Sequence, residues 1–274
     1  MHILGSWKNA PLAYVVAELR LSSILNLEPL AAALQEALAD QFPRVVRGQM
    51  LGFAIDQQGV RPQTMLRFHF LNEAADACVV LTGETIGLHV TRYTNSEGFR
   101  AQLEKILQQL HRVRPNLFVE RVGLRYWDIV RAEGGMEVVE FFKASMAELL
   151  KPGPDMHLAR DAHELAYVVD GVRQQQAVVR LSVSAPALHP EPPNFITVPE
   201  LSPSTPRQEV RTLAEQDPRA HVGYIDVDVS TEVGQTLDVA ALIETTKALH
   251  ASQSALFRLV TSEVGHQYWK DGQA

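Results

Sequence analysis

The stretch AYVVAELRL, residues 13–21, decides the fold. Ala13, Val15, Ala17, Leu19 and Leu21 fall on one side of an extended chain, and Tyr14, Val16, Glu18 and Arg20 on the other, because successive strand side chains point to opposite faces. A carboxylate and a guanidinium on one side of an otherwise apolar strand are costly to bury unpaired. The pattern therefore predicts a sheet with one dry and one wet face, as antiparallel sheets covered by helices on a single side have.

The same asymmetry recurs along the chain. Residues 49–55, 64–71, 77–82 and 85–93 read as further strands, the last two joined at Gly83-Glu84 as a hairpin. Residues 117–130, 163–170, 175–183 and 221–230 follow, with a turn at Asp170-Gly171. Asn26 is placed to cap a first helix whose Leu27, Leu30, Leu34, Ala37 and Leu38 recur at helical spacing before Pro43. A second begins near Ser96 with the stripe Phe99, Leu103, Ile106, Leu107 and Leu110. A third is expected from Val138, Val139, Phe142, Met146 and Leu149 up to Pro152. The longest, capped by Asp238, carries Val239, Leu242, Leu249, Leu256 and Val260 near the C-terminus.

Short loops between strands imply antiparallel neighbours, so the expected class is α+β: antiparallel sheets backed by helices on one face, with a long C-terminal helix. The pattern allows two similar halves, residues 1–133 and 134–274, joined around 134–154. Eight of the fifteen prolines lie between 186 and 218. They remove backbone donors and point to a long loop at 185–218 in place of helix or central strand.

Several segments together resemble a sporadically distributed, functionally uncharacterised bacterial protein family of about this length. They are Asn9-Ala10-Pro11-Leu12, residues 93–99, Val122-Gly123-Leu124-Arg125-Tyr126, Ile225-Asp226-Val227-Asp228-Val229, and the C-terminal Leu249-His250, Leu256-Phe257, Val260-Thr261 and Trp269. The resemblance implies a shared fold and domain count. It brings no catalytic residues.

Composition narrows the function classes. A chain of 274 residues, 46% of them hydrophobic, can build a substantial core. No apolar run approaches the roughly 20 residues that cross a bilayer, and the N-terminus lacks the basic-then-apolar layout of a signal peptide. A cytoplasmic protein is the expectation. The single Cys78 lies in an apolar strand and reads as a buried structural thiol. A net charge of −7 opposes non-specific attraction to nucleic acid or anionic membrane. No GxSxG, P-loop or GxGxxG occurs, and His163-Glu164 lacks the second histidine of a zinc-protease helix. No cofactor, metal or catalytic residue is assigned.

What remains is the wet face. Glu18 and Arg20, Arg67 and His69, His89, Arg121 and Arg125, Arg180, and Asp226 and Asp228 all take the polar parity of their strands. Asp226 and Asp228 share a face at about 7 Å spacing. Such a pair could hold Mg²⁺ or share a proton, but pairing with arginines on neighbouring strands is the simpler reading. Lys105, Arg112, Arg114, Arg121, Arg125 and Arg131 form the most basic stretch, where arginine forks suit phosphate oxygens. The nineteen arginines against six lysines favour such forks further. His250, beside the last helix's apolar stripe, reads as a packed, hydrogen-bonded histidine.

The leading functional expectation is a non-enzymatic binding or assembly component of a bacterial accessory system. It would present the polar face, or the tail near Trp269, to a protein partner or a second copy, with Trp127 as an aromatic anchor. Charge reversal at Arg125 is then expected to weaken partner capture without unfolding. The alternatives are a phosphate- or nucleotide-binding enzyme with a charged sheet interior, and a specific RNA-binding protein using residues 105–131. The former is similar to triphosphate-tunnel proteins, although Val16 stands where their first acidic residue falls.

Overall fold

In the computed structural model, which describes residues 7, 9–56, 59–132, 135–143, 160–171, 173–185, 198–217 and 220–271, the alternating stretch is strand β1 (Leu12–Leu21). Helix α1 (Leu27–Leu38) follows, then β2 (Arg44–Asp56), β3 (Gly59–Leu71), β4 (Ala77–Thr82) and β5 (Thr85–Val90). Helix α2 (Ser96–Val113) leads into β6 (Phe118–Arg131). The remainder holds β7 (Arg160–Val169), β8 (Gln175–Ser184), α3 (Thr205–Gln216), β9 (Val222–Thr236), α4 (Val239–Val260) and α5 (Glu263–Asp271). The nine strands form one sheet in the order β2-β3-β4-β5-β1-β6-β9-β8-β7, and each pairing is antiparallel. The molecule is α+β, as the alternation predicted, and its sheet runs continuously through strands from both halves of the chain.

The dry face carries Ala17 and Leu19 of β1, Val79 and Leu81 of β4, Ile86 and Leu88 of β5, Val122 and Leu124 of β6, and Val227 and Val229 of β9. Helices α1, α2 and α4 cover it with the expected stripes, including Leu34, Leu107 and Leu249, each at most 1% exposed. Burying each such side chain is worth about 1.5–3 kcal/mol. Asn95 and Asp238 accept the Gly98 and Ala241 N–H groups at 2.7 and 3.1 Å and so start α2 and α4. Asn26 holds the N-cap position of α1 but makes no side-chain cap bond. His250 of α4 lies 3.2 Å from the Tyr126 hydroxyl, the packed role expected of it. No helix among the described residues is long and apolar enough to cross a membrane.

Three expectations need correction. The proline-rich segment is not helix-free: α3 occupies 205–216, because Pro206 sits in its first turn, where no N–H is needed, and the ten residues after it contain no proline. Residues 186–197 of that segment lie outside the described residues. Where the third helix is expected, Val138–Phe141 form a four-residue 3-10 turn and Phe142 bridges Thr261; the expected positions Met146, Leu149 and Pro152 lie outside the described residues. Ala13 packs with Tyr14 and Val16 instead of opposite them, since an irregularity between Leu12 and Tyr14 shifts the strand register there.

Candidate functional site

Strand parity gathers the charged groups on the face away from α1, α2 and α4. The register aligns Gly87 of β5, Glu18 of β1, Gly123 of β6 and Ser230 of β9 in one row across the sheet. Glu18 thus stands between two glycines. With no cross-strand side chain from either glycine beside it, Glu18 lines a depression in this face. Glycine within a strand often marks such a close approach.

The depression opens into a cleft of about 960 Å³ lined by Glu18, Arg67, His89, Arg121, Arg125 and Asp228, with residues 23–28 and the hairpin around Gly83 on its rim. One part of this lining is tightly paired. Arg125 donates from Nε and Nη2 to Asp226 Oδ1 and Oδ2 at 2.7 and 2.6 Å, and Arg180 Nη1 donates to the same Oδ2 at 3.0 Å. Asp226 is 3% exposed, so the two arginines neutralise a carboxylate that burial would otherwise penalise heavily. Arg180 also donates to Glu164 at 2.7 Å, and at the rim Arg20 meets Glu120 at 3.3 Å.

The other part is not paired. Among the described residues no carboxylate lies within 4 Å of Arg67 or Arg121, and Arg121 reaches only the Ser230 hydroxyl, at 3.5 Å. Glu18 and Asp228 likewise have no hydrogen-bond partner among the described residues. Burial raises the Glu18 pKa; the charges of Arg121, Arg67 and Arg125 pull it back down, while that of Asp228 adds to the rise. Burial raises Asp228 too, with Asp226 adding to the effect. Two acids and two guanidiniums therefore face one another across the cleft without closing into ion pairs. The arrangement leaves the fork-shaped donors of Arg67 and Arg121 open to an oxyanion.

The remaining predicted residues, His69 and His89, sit toward the end of this face that α3 covers. His89 is buried, and its pKa is lowered to about 3 by burial first and then by Arg67 and His69. Its Nδ1 lies 3.3 Å from the Tyr14 hydroxyl, which accepts the Val198 N–H at 3.1 Å. His69 Nδ1 lies 2.8 Å from Glu200 Oε2. Residues 198–201 and α3 cover this end over Tyr14, Leu71, Cys78, Val80, Trp127 and Tyr224. Cys78 is fully buried, as the sequence suggested, with its thiol pushed up to about 12 by burial.

The expected anchors are not on the surface. Trp127 does share the arginine face, but it is 0% exposed beneath α3, with the Arg207 guanidinium 5.3 Å from its ring centroid. Trp269 is 3% exposed, stacked on Trp7 and Phe141. The basic stretch 105–131 divides between layers, α2 backing the dry face while Arg121, Arg125 and Arg131 leave β6 toward the wet one, so it makes no continuous patch. Arg125 also cannot be reversed harmlessly, since a carboxylate there would face Asp226. Among the described residues no group of three or more His, Cys, Asp or Glu could hold a metal ion.

Tyr14, Glu200 and the glycine pair escaped the sequence reading. Gly87 and Gly123 were legible in principle, as glycines inside strong strand patterns; Glu200 was hidden in a segment read as loop. No protein-family model matches the chain, and a search of the curated proteins found no match.

Proposed function

We propose that the wet face of the sheet is a binding site for a polyanionic, phosphate-bearing small molecule. Arg67 and Arg121 would supply the oxyanion contacts, and Glu18, between Gly87 and Gly123, would be the central polar group. The observation that carries the reading is that Arg67 and Arg121 line a cleft of about 960 Å³ with no carboxylate in ion-pair range among the described residues. Elsewhere on this face, carboxylates in reach of arginines have taken them, as Asp226, Glu120 and Glu164 do. The volume suits a ligand of nucleotide size.

A protein partner fits less well. Interface hot spots draw on accessible Trp and Arg side chains, and Trp127 and Trp269 are both buried. The resemblance carried by residues such as 122–126 and 225–229 names no ligand, so the reading stands on the cleft.

A thermal-shift screen with inorganic phosphate, pyrophosphate and ATP, each with and without Mg²⁺, tests it. Pyrophosphate or ATP is expected to raise the melting temperature by several degrees at concentrations well above Kd. Arg67→Ala and Arg121→Ala should keep the ligand-free melting temperature and lose the shift. No shift at millimolar ligand, or equal shifts in both variants, would remove the proposal.

A further inference from the structure

We infer that Glu200 acts as an internal anion beside the cleft, and that a bound polyanion displaces it and loosens the strap formed by residues 198–217. The inference rests on the anion-binding reading above and concerns how that site is regulated.

The strap is held partly by apolar contact and partly by polar bonds to β1, β3, β6 and the turn after β3. Val198, Leu201 and Val210 pack over Tyr14, Cys78 and Trp127. Ser202 N donates to Ala75 O at 2.6 Å, and Arg131 of β6 meets Glu209 of α3 at 2.9 Å. Two further bonds reach neighbours of residues that line the cleft. One is Glu200 to His69, at 2.8 Å with His69 95% buried by side chain and its Nε2 without a partner among the described residues. The other is Val198 to Tyr14, whose hydroxyl meets His89, a lining residue of the cleft.

Charge links the first bond to the anion site. Arg67 and His69 are two apart on β3 and take the same face. Burial lowers the pKa of both, and the Glu200 carboxylate opposes that shift, favouring their charged forms. It is thus the one strap carboxylate that already supplies Arg67 with negative charge, without approaching to ion-pair distance. A phosphate brought to Arg67 places a second anion beside it, and like charges this close repel. The repulsion is relieved when Glu200 leaves His69, and the strap loses a charge-assisted hydrogen bond. By reciprocity, whatever holds Glu200 in place weakens the polyanion, and the polyanion weakens the strap to the same degree.

The chain carries its own reporter. Cys78 is the single cysteine, fully buried in the cluster that the strap covers, so a neutral alkylating reagent reaches it when the strap lifts. Labelling by N-ethylmaleimide, followed by intact mass, is measured with and without pyrophosphate, alongside pyrophosphate titrations by calorimetry. Glu200→Gln keeps a hydrogen-bonding oxygen and removes the charge; it should bind pyrophosphate several-fold more tightly and label near the wild-type rate without ligand. Glu200→Ala removes the bond as well and should label about tenfold faster without ligand. In the wild type, saturating pyrophosphate should accelerate labelling. If pyrophosphate binds Glu200→Gln and wild type equally, or leaves the Cys78 rate unchanged, the strap inference falls while the anion site stands. If pyrophosphate binds neither protein, both fall.

Discussion

Asp226 holds two arginines and Asp228 holds none among the described residues, although both leave β9 on the same side. Position in the register separates them: Asp226 lies opposite Arg180 on β8 and one row from Arg125, whereas Asp228 lies opposite Arg125 and Val178 while Arg125 turns to Asp226. Strand parity made the shared face legible in the sequence. The choice of partner was not, because it depends on register between strands far apart in the chain. The pairing has an energetic signature. Arg125→Ala leaves a buried carboxylate with one partner and should cost about 3–5 kcal/mol in urea unfolding. Glu164→Ala removes a partner whose side chain is 61% exposed and should cost less than about 1 kcal/mol. Similar costs for the two would mean that Asp226 is not held as described. Trp127 shows the same limit from the other side, since parity placed it with the arginines but could not show that α3 covers it.

Elements were legible wherever a period ran uninterrupted. The stripes of α1, α2 and α4 follow helical spacing, and the strands follow alternation, so their existence and facing came directly from residue order. α3 was missed because proline density was averaged over the whole segment, although Pro206 at a helix start and the proline-free residues behind it are compatible with a helix. The register irregularity beside Ala13 was missed because alternation gives no sign of where a strand slips. Capping separates the three sheet-covering helices and can be measured. Asn95→Ala and Asp238→Ala each remove a side-chain acceptor and should each cost about 1 kcal/mol. Asn26→Ala removes no such bond and should cost at most a few tenths of a kcal/mol. Equal losses at all three positions in denaturant titrations would contradict this account of the helix starts.

Across the whole molecule, one sheet divides two electrostatic environments, and its buried histidines and the buried Asp128 should make stability depend on pH in opposite directions. On the wet face, His89 has its pKa lowered to about 3 by burial; on the dry face, burial lowers His250 to about 4. Both are depressed below the ordinary 6.5, so the stability tied to their neutral forms is complete above pH 6.5 and is lost as pH falls toward 4 and then 3. Asp128, buried on the dry face beside Gln253 and Phe257, is raised well above 3.8 by burial and then by the charge of Asp226. Its contribution is complete below about pH 4 and is lost as pH rises through its raised pKa. His250→Gln should flatten the acid side of a plot of urea midpoint against pH, and Asp128→Asn should stabilise increasingly as pH rises; unchanged slopes would refute both assignments. At this scale the sequence revealed the sorting of charge onto one face, but not the cleft, which needs the glycine row, the rim from residues 23–28 and the hairpin around Gly83 to meet. The most direct test of that sorting is calorimetric titration of pyrophosphate into wild type and into an Arg67→Ala, Arg121→Ala double variant of matched melting temperature. The account requires saturable one-to-one binding by the wild type and its loss in the double variant; equal binding by both, or binding by neither, would contradict it.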